Sequence, residues 1–397
     1  MATASEAISR WTRGFVATGV LWFVVWQAAV VAGLGRRVTV ALALYGFVLH
    51  VVFGKAYSLV PSYFDRDLRP ARGPTVHLPC ALVGTAALAA GALAGVPPVV
   101  RTVGALLWAA GVAVFLLTVG WTVRDNLIGA ETGTGDHNAH RRPVDRVANL
   151  GVPVVLLYLA VGAYVTVAAT TPLPAPVDGY PPRVSHLLAA GVAALLLVAV
   201  GFRLLPRFLV ATVPTALAVV AVPAAALGPV LIAVGLPAGP VLHAGAGLET
   251  LGIGAFAVAY WVAFARSDRS RIGFYGVLAG TLAGVAVVGL GLTFAVAGPR
   301  PGLVALHYRL ALLGFLGLSI VGVTYQFYPP SVCRFPLAGD RFAAAVLVAV
   351  VLGLALEALS LALGRPPLSL AGRALAALAA VGYAYLLLGL FVQRWRD

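Results

Sequence analysis

"LHYRLALLGFLGLSIVGVTYQFYPP", residues 306–330, carries a histidine and an arginine at the start of an apolar run and a double proline at its end. As a helix, the run is long enough to cross a hydrocarbon core of about 30 Å. The layout recurs. When "LYGFVLHVVFGKAYSLVPSYF" (44–64) is set over "LLGFLGLSIVGVTYQFYPPSV" (312–332), Gly46, Gly54, Tyr57 and Pro61 fall on Gly314, Gly322, Tyr325 and Pro329. A weaker third copy, "HLLAAGVAALLLVAVGFRLLPRF" (186–208), keeps the 15-residue interval between Gly191 and Pro206 and displaces the internal glycine to Gly201.

These copies sit in a chain of 397 residues that is 61% hydrophobic and 10% charged, a composition that cannot supply the surface of a soluble domain of this size. Apolar runs predict an all-α polytopic membrane protein with about twelve spans. They lie near 12–34, 38–61, 77–97, 101–123, 148–169, 184–206, 208–234, 240–264, 272–297, 303–328, 342–363 and 372–393. Only Arg203, Pro206 and Arg207 separate the sixth span from the seventh. The three copies are spans two, six and ten, so the period is four helices rather than the six of common transporters. The chain is therefore read as one transmembrane domain of three pseudo-equivalent units, 1–147, 148–270 and 271–397.

A net charge of +14 suggests nucleic acid as a partner, but its distribution argues otherwise. There is a single lysine, and the arginines cluster at span ends, 18 on the side of the termini against seven on the other. By the positive-inside rule this predicts a cell-membrane protein with both termini cytoplasmic and no nucleic-acid partner. The two cysteines, Cys80 and Cys333, form no CxxC or CxxCH pattern, which leaves covalent haem attachment and cluster ligation unsupported.

A twelve-helix bundle with equivalent helices two, six and ten resembles the catalytic subunit of haem–copper oxidases and nitric oxide reductases. In that family the tenth helix opens on a haem-ligating histidine, continues through small residues and closes on an aromatic-proline pair. His307, Gly314, Gly322, Tyr328 and Pro329 follow this layout, and Gly46, Gly54 and Pro61 follow the second helix. The NnrS family of haem- and copper-containing membrane proteins is similar in size and in its second helix. The resemblance implies a b-type haem, a redox or O2/NO-related role in a respiratory chain, and neighbouring membrane or electron-transfer subunits.

The ligand set departs from that family. The second histidine of its tenth-helix His-x-His is here Arg309, residues 208–234 hold no histidine, and the tyrosine four positions after the sixth-helix histidine is here Ala190. The second-helix ligand position is Thr39. Copper needs about three clustered imidazoles, so no copper site, no catalytic residue and no conventional oxidase turnover are expected.

An imidazole within lipid has to face the bundle and find a partner, which makes His50, His186, His243 and His307 candidates for haem or metal. His307 is the leading ligand, with His243 or His186 opposite it. His50 lies eleven residues beyond Thr39, about 16 Å deeper, too far to share one iron with His307. At 100° per residue His307, Ala311, Gly314, Val321 and Tyr325 form a stripe that would suit a flat macrocycle, and Arg309 is positioned to pair with a propionate. The alternatives are a haem-free structural or assembly protein on the same scaffold, with the histidines merely bridging helices, and a transporter or channel lined by Glu249, Glu357 and Lys55.

Overall fold

The computed structural model describes residues 4–396 other than 179, with side chains from residue 8 to residue 395. Among them are twelve helices long and apolar enough to span a membrane. In order they are α1 (Ile8–Val31), α2 (Arg36–Tyr63), α3 (Gly73–Ala90), α4 (Pro98–Val123), α5 (Asp136–Ala168) and α6 (Pro181–Leu209). Then come α7 (Thr215–Gly235), α8 (Pro240–Ala265), α9 (Ile272–Ala297), α10 (Pro301–Phe327), α11 (Asp340–Leu363) and α12 (Pro366–Trp395). The chain is an all-α, multi-pass membrane protein. With twelve crossings both termini lie on one side, called here the terminal face.

Burial divides the helices into two classes. In α2, α6 and α10, 83, 78 and 72% of the apolar window is buried, against 28 to 56% for the other nine. Those nine form a closed ring of neighbours, from α1 through α3, α4, α5, α7, α8, α9, α11 and α12 back to α1, and the three inner helices touch one another pairwise. Ring residues such as Leu117, Leu157 and Leu378 face outward, as lipid contact requires.

Each inner helix contains a wide-turn, π-type segment: Ala41–Val48, His186–Ala194 and Leu310–Leu318. Each begins four or five residues before the aligned glycine (46 − 41 = 5, 191 − 186 = 5, 314 − 310 = 4). The three segments meet at one level of the bundle. Long π stretches are rare and tend to accompany function.

The sixth and seventh spans separate where backbone chemistry demands it. Val210 adopts a left-handed conformation at the end of α6, and Pro214 precedes α7. Arg203 and Arg207 are thus in the last turns of α6 rather than in a loop. The guanidinium of Arg203 donates at 2.6 Å to the carbonyls of Tyr63 and Thr132 and to Asn149 Oδ1, and it lies 4.0 Å over the Tyr63 ring. Arg207 grips the carboxylate of Asp145 at 2.6 Å. This buried network seals the long polar loop after α4 onto the ends of α2, α5 and α6. Outside the membrane, Arg66 binds Asp125 and Glu131, and its hydrogen bond holds the Asp125 carboxyl below the ordinary aspartate range.

Proline and glycine shape the packing elsewhere. In α7, Pro229 disturbs the local hydrogen-bond ladder, and the Tyr158 hydroxyl bridges the gap, donating to the Ala226 carbonyl at 2.6 Å and accepting from the Val230 amide at 3.0 Å. Between α9 and α10, Gly322 lies against Gly273 and Gly276 so closely that a Cβ on Gly322 would sit 2.5 Å from the Gly273 carbonyl oxygen and 2.7 Å from the Val277 nitrogen. Backbone cannot yield there as a side-chain tip would. Replacing Gly322 with Val is expected to lower stability by about 1–3 kcal/mol through overpacking, read as a lower unfolding temperature of the detergent-purified protein.

Candidate functional site

α6 and α10 both open on the face opposite the termini, with prolines in their first turns where a missing amide donor costs nothing. This brings His186 and His307 together: their ring centres are 6.4 Å apart and their planes 28° from parallel. The Nδ1 of His186 lies 2.7 Å from the Pro182 carbonyl oxygen. A carbonyl only accepts, so Nδ1 carries the proton and Nε2 keeps its lone pair. His307 Nδ1 is buried with no hydrogen-bond partner. Phe294 meets the His307 ring edge-on at 5.5 Å, and the Gly291 position leaves ordinary van der Waals room beside it.

The other expected ligands go elsewhere. His243 is exposed on α8, and its Nε2 is held 2.8 Å from the Ala295 carbonyl of α9. His50 is fully buried, with Nδ1 2.9 Å from the Tyr45 carbonyl and Nε2 unpartnered. It stands near a histidine that the sequence reading passed over. His77, on α3, is also fully buried, its Nδ1 is 3.0 Å from the Tyr57 hydroxyl, and Phe15, Phe53 and Phe115 enclose it. The signal was Gly73-Pro74, a helix start that moves the third span four residues earlier and takes His77 from its first position into its second turn.

Arg309, expected opposite a propionate, is engaged within the protein. Its Nε and terminal nitrogen hold both oxygens of Glu357 at 2.7–3.1 Å, and its other nitrogen donates to Gln27 Oε1 at 3.2 Å. Trp26 lies 5.5 Å from the guanidinium carbon and donates its indole N–H to the Tyr308 hydroxyl at 3.1 Å. Glu357 is thereby an ion-pair partner. Glu249, on α8, is buried against Gly228, and its Oε2 has no hydrogen-bond partner. Lys55 binds the Tyr328 hydroxyl at 3.2 Å and lies 3.8 Å over the Phe327 ring, with no carboxylate partner among the described residues.

The flat groove expected on α10 is filled. A Cβ on Gly314 would meet Ala283 of α9 at 2.8 Å and Leu354 of α11 at 3.3 Å, and Gly322 is closed by backbone as described. The cause is the wide-turn segment from Leu310, which departs from 100° per residue and separates the phase of His307 from that of Val321 and Tyr325. The same holds for Thr39 and His50, which flank the segment in α2. Among the described residues, no group of three or more His, Cys, Asp or Glu side chains is placed to hold a metal ion.

No protein-family model matches the chain, and no curated protein sequence matches it. Among solved structures it is similar to a haem–copper terminal oxidase determined as a dimer by cryo-electron microscopy. The identity is 13% and the TM-score 0.48, over 99% of this chain and 84% of that one.

A buried ion pair that loses one partner strands the other charge. Arg309→Met or Glu357→Leu alone is expected to cost about 3–5 kcal/mol, while the double variant Arg309→Met/Glu357→Leu recovers most of it. Thermal unfolding of the four proteins in one detergent measures the cycle.

Proposed function

We propose that this protein is a membrane protein of haem–copper-oxidase-like architecture that holds one b-type haem between His186 and His307. The observation that carries the reading is the meeting of these two imidazoles from aligned inner helices. Their ring centres are 6.4 Å apart, close enough that both imidazoles would be within reach of one bound metal. His186 has the orientation such ligands need, because Pro182 fixes its tautomer through Nδ1. His307 has a buried nitrogen without any protein partner.

The nine-helix ring around three inner helices, with aligned wide turns, supports grouping the chain into three four-helix units. The arginine distribution supports cytoplasmic termini, which puts the histidine pair near the outer surface. When bound, a haem held by His186 and His307 would supply one-electron or O2/NO-related chemistry. This chain's residues hold and orient the ligands, and Phe294 closes one side of His307 against lipid and water. Arg309 serves the scaffold through Glu357. The imidazole pair provides no copper ligand cluster, so conventional oxidase turnover is outside the proposal, and the electron donor is a neighbouring membrane or electron-transfer subunit.

A haem-free scaffold is the second reading, favoured by the way α9 and α11 fill the glycine positions of α10. One experiment separates the two. Detergent-purified protein, expressed with ample haem supply, is expected to give near-stoichiometric haem in a pyridine haemochrome assay and a b-type reduced-minus-oxidised spectrum. His307→Ala and His186→Ala should each lose the haem while eluting as the folded protein, and His243→Ala should keep it. Haem content unchanged in His307→Ala, or no haem in the parent protein, would overturn the assignment.

A further inference from the structure

Between the terminal-face halves of α2, α6 and α10 lies a cavity of about 90 Å³. Its wall is almost wholly apolar. Val52, Leu59, Leu197, Val200 and Ile320 line it, and each is only half-buried despite belonging to an inner helix, because part of its surface faces this space. The lining on α2 extends from Val48 to Leu59, eleven helical steps or about 16 Å. That is about half of a 30 Å hydrocarbon core, the depth of one leaflet's chains. The volume has room for roughly six to nine water-sized groups. A slot of this depth between three apolar helix faces suits an alkyl chain.

One charged group lines the cavity: Lys55, the only lysine of the protein. An ammonium has three donors, and Tyr328 accepts from one of them, at 3.2 Å. The rings of Phe327 and Tyr328, 3.8 and 4.4 Å from Nζ, hold the ammonium in place without neutralising it. Arg13 and Arg394 lie within electrostatic reach of the same Tyr328 hydroxyl, so three cations gather at this end. The other lining hydroxyl with a settled role, Thr324, is spent on Tyr383 and on its own helix. Ser319 Oγ also lines the wall, buried and without a hydrogen-bond partner, so the slot carries one charge and one free hydroxyl in an otherwise apolar lining.

We propose that this cavity is a binding site for a single-chain anionic amphiphile, a long-chain fatty acid, with its carboxylate on Lys55 and its alkyl chain between α2, α6 and α10. The carboxylate accepts from the free donors of Nζ and lies in the field of Arg13 and Arg394. Dry apolar cavities of this kind take up apolar ligands readily, and a head group matched to the one cation sets the orientation. The site lies at the opposite end of the inner helices from the histidine pair and does not depend on haem.

The test uses the full chain in detergent with a palmitate analogue carrying a photoreactive diazirine. After irradiation and digestion, mass spectrometry is expected to find the label within 48–59, 193–205 and 316–324. Excess palmitate should compete, and neither inorganic phosphate nor hexadecanol should do so at the same concentration. Lys55→Gln should reduce labelling about tenfold, as loss of a charged hydrogen bond implies, and Lys55→Arg should largely restore it. Val200→Trp, which fills the cavity and leaves the charge, should abolish it and keeps the proposal testable if Lys55→Gln does not fold. Labelling confined to lipid-facing ring residues such as Leu117 and Leu157 would overturn the proposal. So would hexadecanol competing as well as palmitate, or labelling unchanged in Val200→Trp.

Discussion

A guanidinium in the membrane has no water to turn to, and the terminal face of this bundle is organised around one that meets this constraint with protein acceptors from two helices and a loop. Arg203 is buried, and its donors satisfy two carbonyls and an asparagine from three separate parts of the chain. Tyr63 contributes the end of α2, Asn149 comes from α5, and Thr132 belongs to the polar loop. Asp145, itself buried, balances Arg203 and Arg207 together. Two inner helices and the longest loop are therefore closed by a single charge-assisted knot. Losing any partner would leave an unsatisfied polar group in a low-dielectric setting, where the penalty is largest.

The rest of the bundle uses close approach rather than charge. Outer helices pair through small residues, and the α9–α10 contact brings Gly273, Gly276 and Gly322 backbone to backbone. Lipid offers no hydrophobic drive between helices, so van der Waals contact at short range carries the association. The glycines that mark the inner helices are thus packing surfaces. Polar side chains then appear where helices must be held in one register, as with Arg309 and Glu357 between α10 and α11, and Tyr158 beside Pro229.

The number and rough limits of the spans were legible because a membrane imposes length and apolarity on every crossing, and the kinship of α2, α6 and α10 was legible through their spaced Gly and Pro, though not their place inside the ring. The α6–α7 boundary was less so, because Arg203 and Arg207 look like loop residues until Asp145 and Asn149, some sixty residues earlier, are seen beside them. Partnership is the information a linear chain hides. His186 and His307 were both candidates, but only folding shows that they face each other while His243 bonds to Ala295. Arg309 and Glu357 were weighed separately for the same reason. The stripe on α10 failed through a different cause: a fixed angle per residue was carried across a wide-turn segment that does not keep it.

Those wide turns also divide the labour of the inner helices. A π-type stretch takes more residues per turn than the α-helix on either side, so the side-chain phase before it is not tied to the phase after it. At one shared level, all three inner helices are thereby uncoupled into two halves. The histidine half on one face and the lysine half on the other have separate rotational settings within continuous helices. A lineage carrying this scaffold is free to redesign the chemistry at one end of the ring without disturbing the alignment of the other.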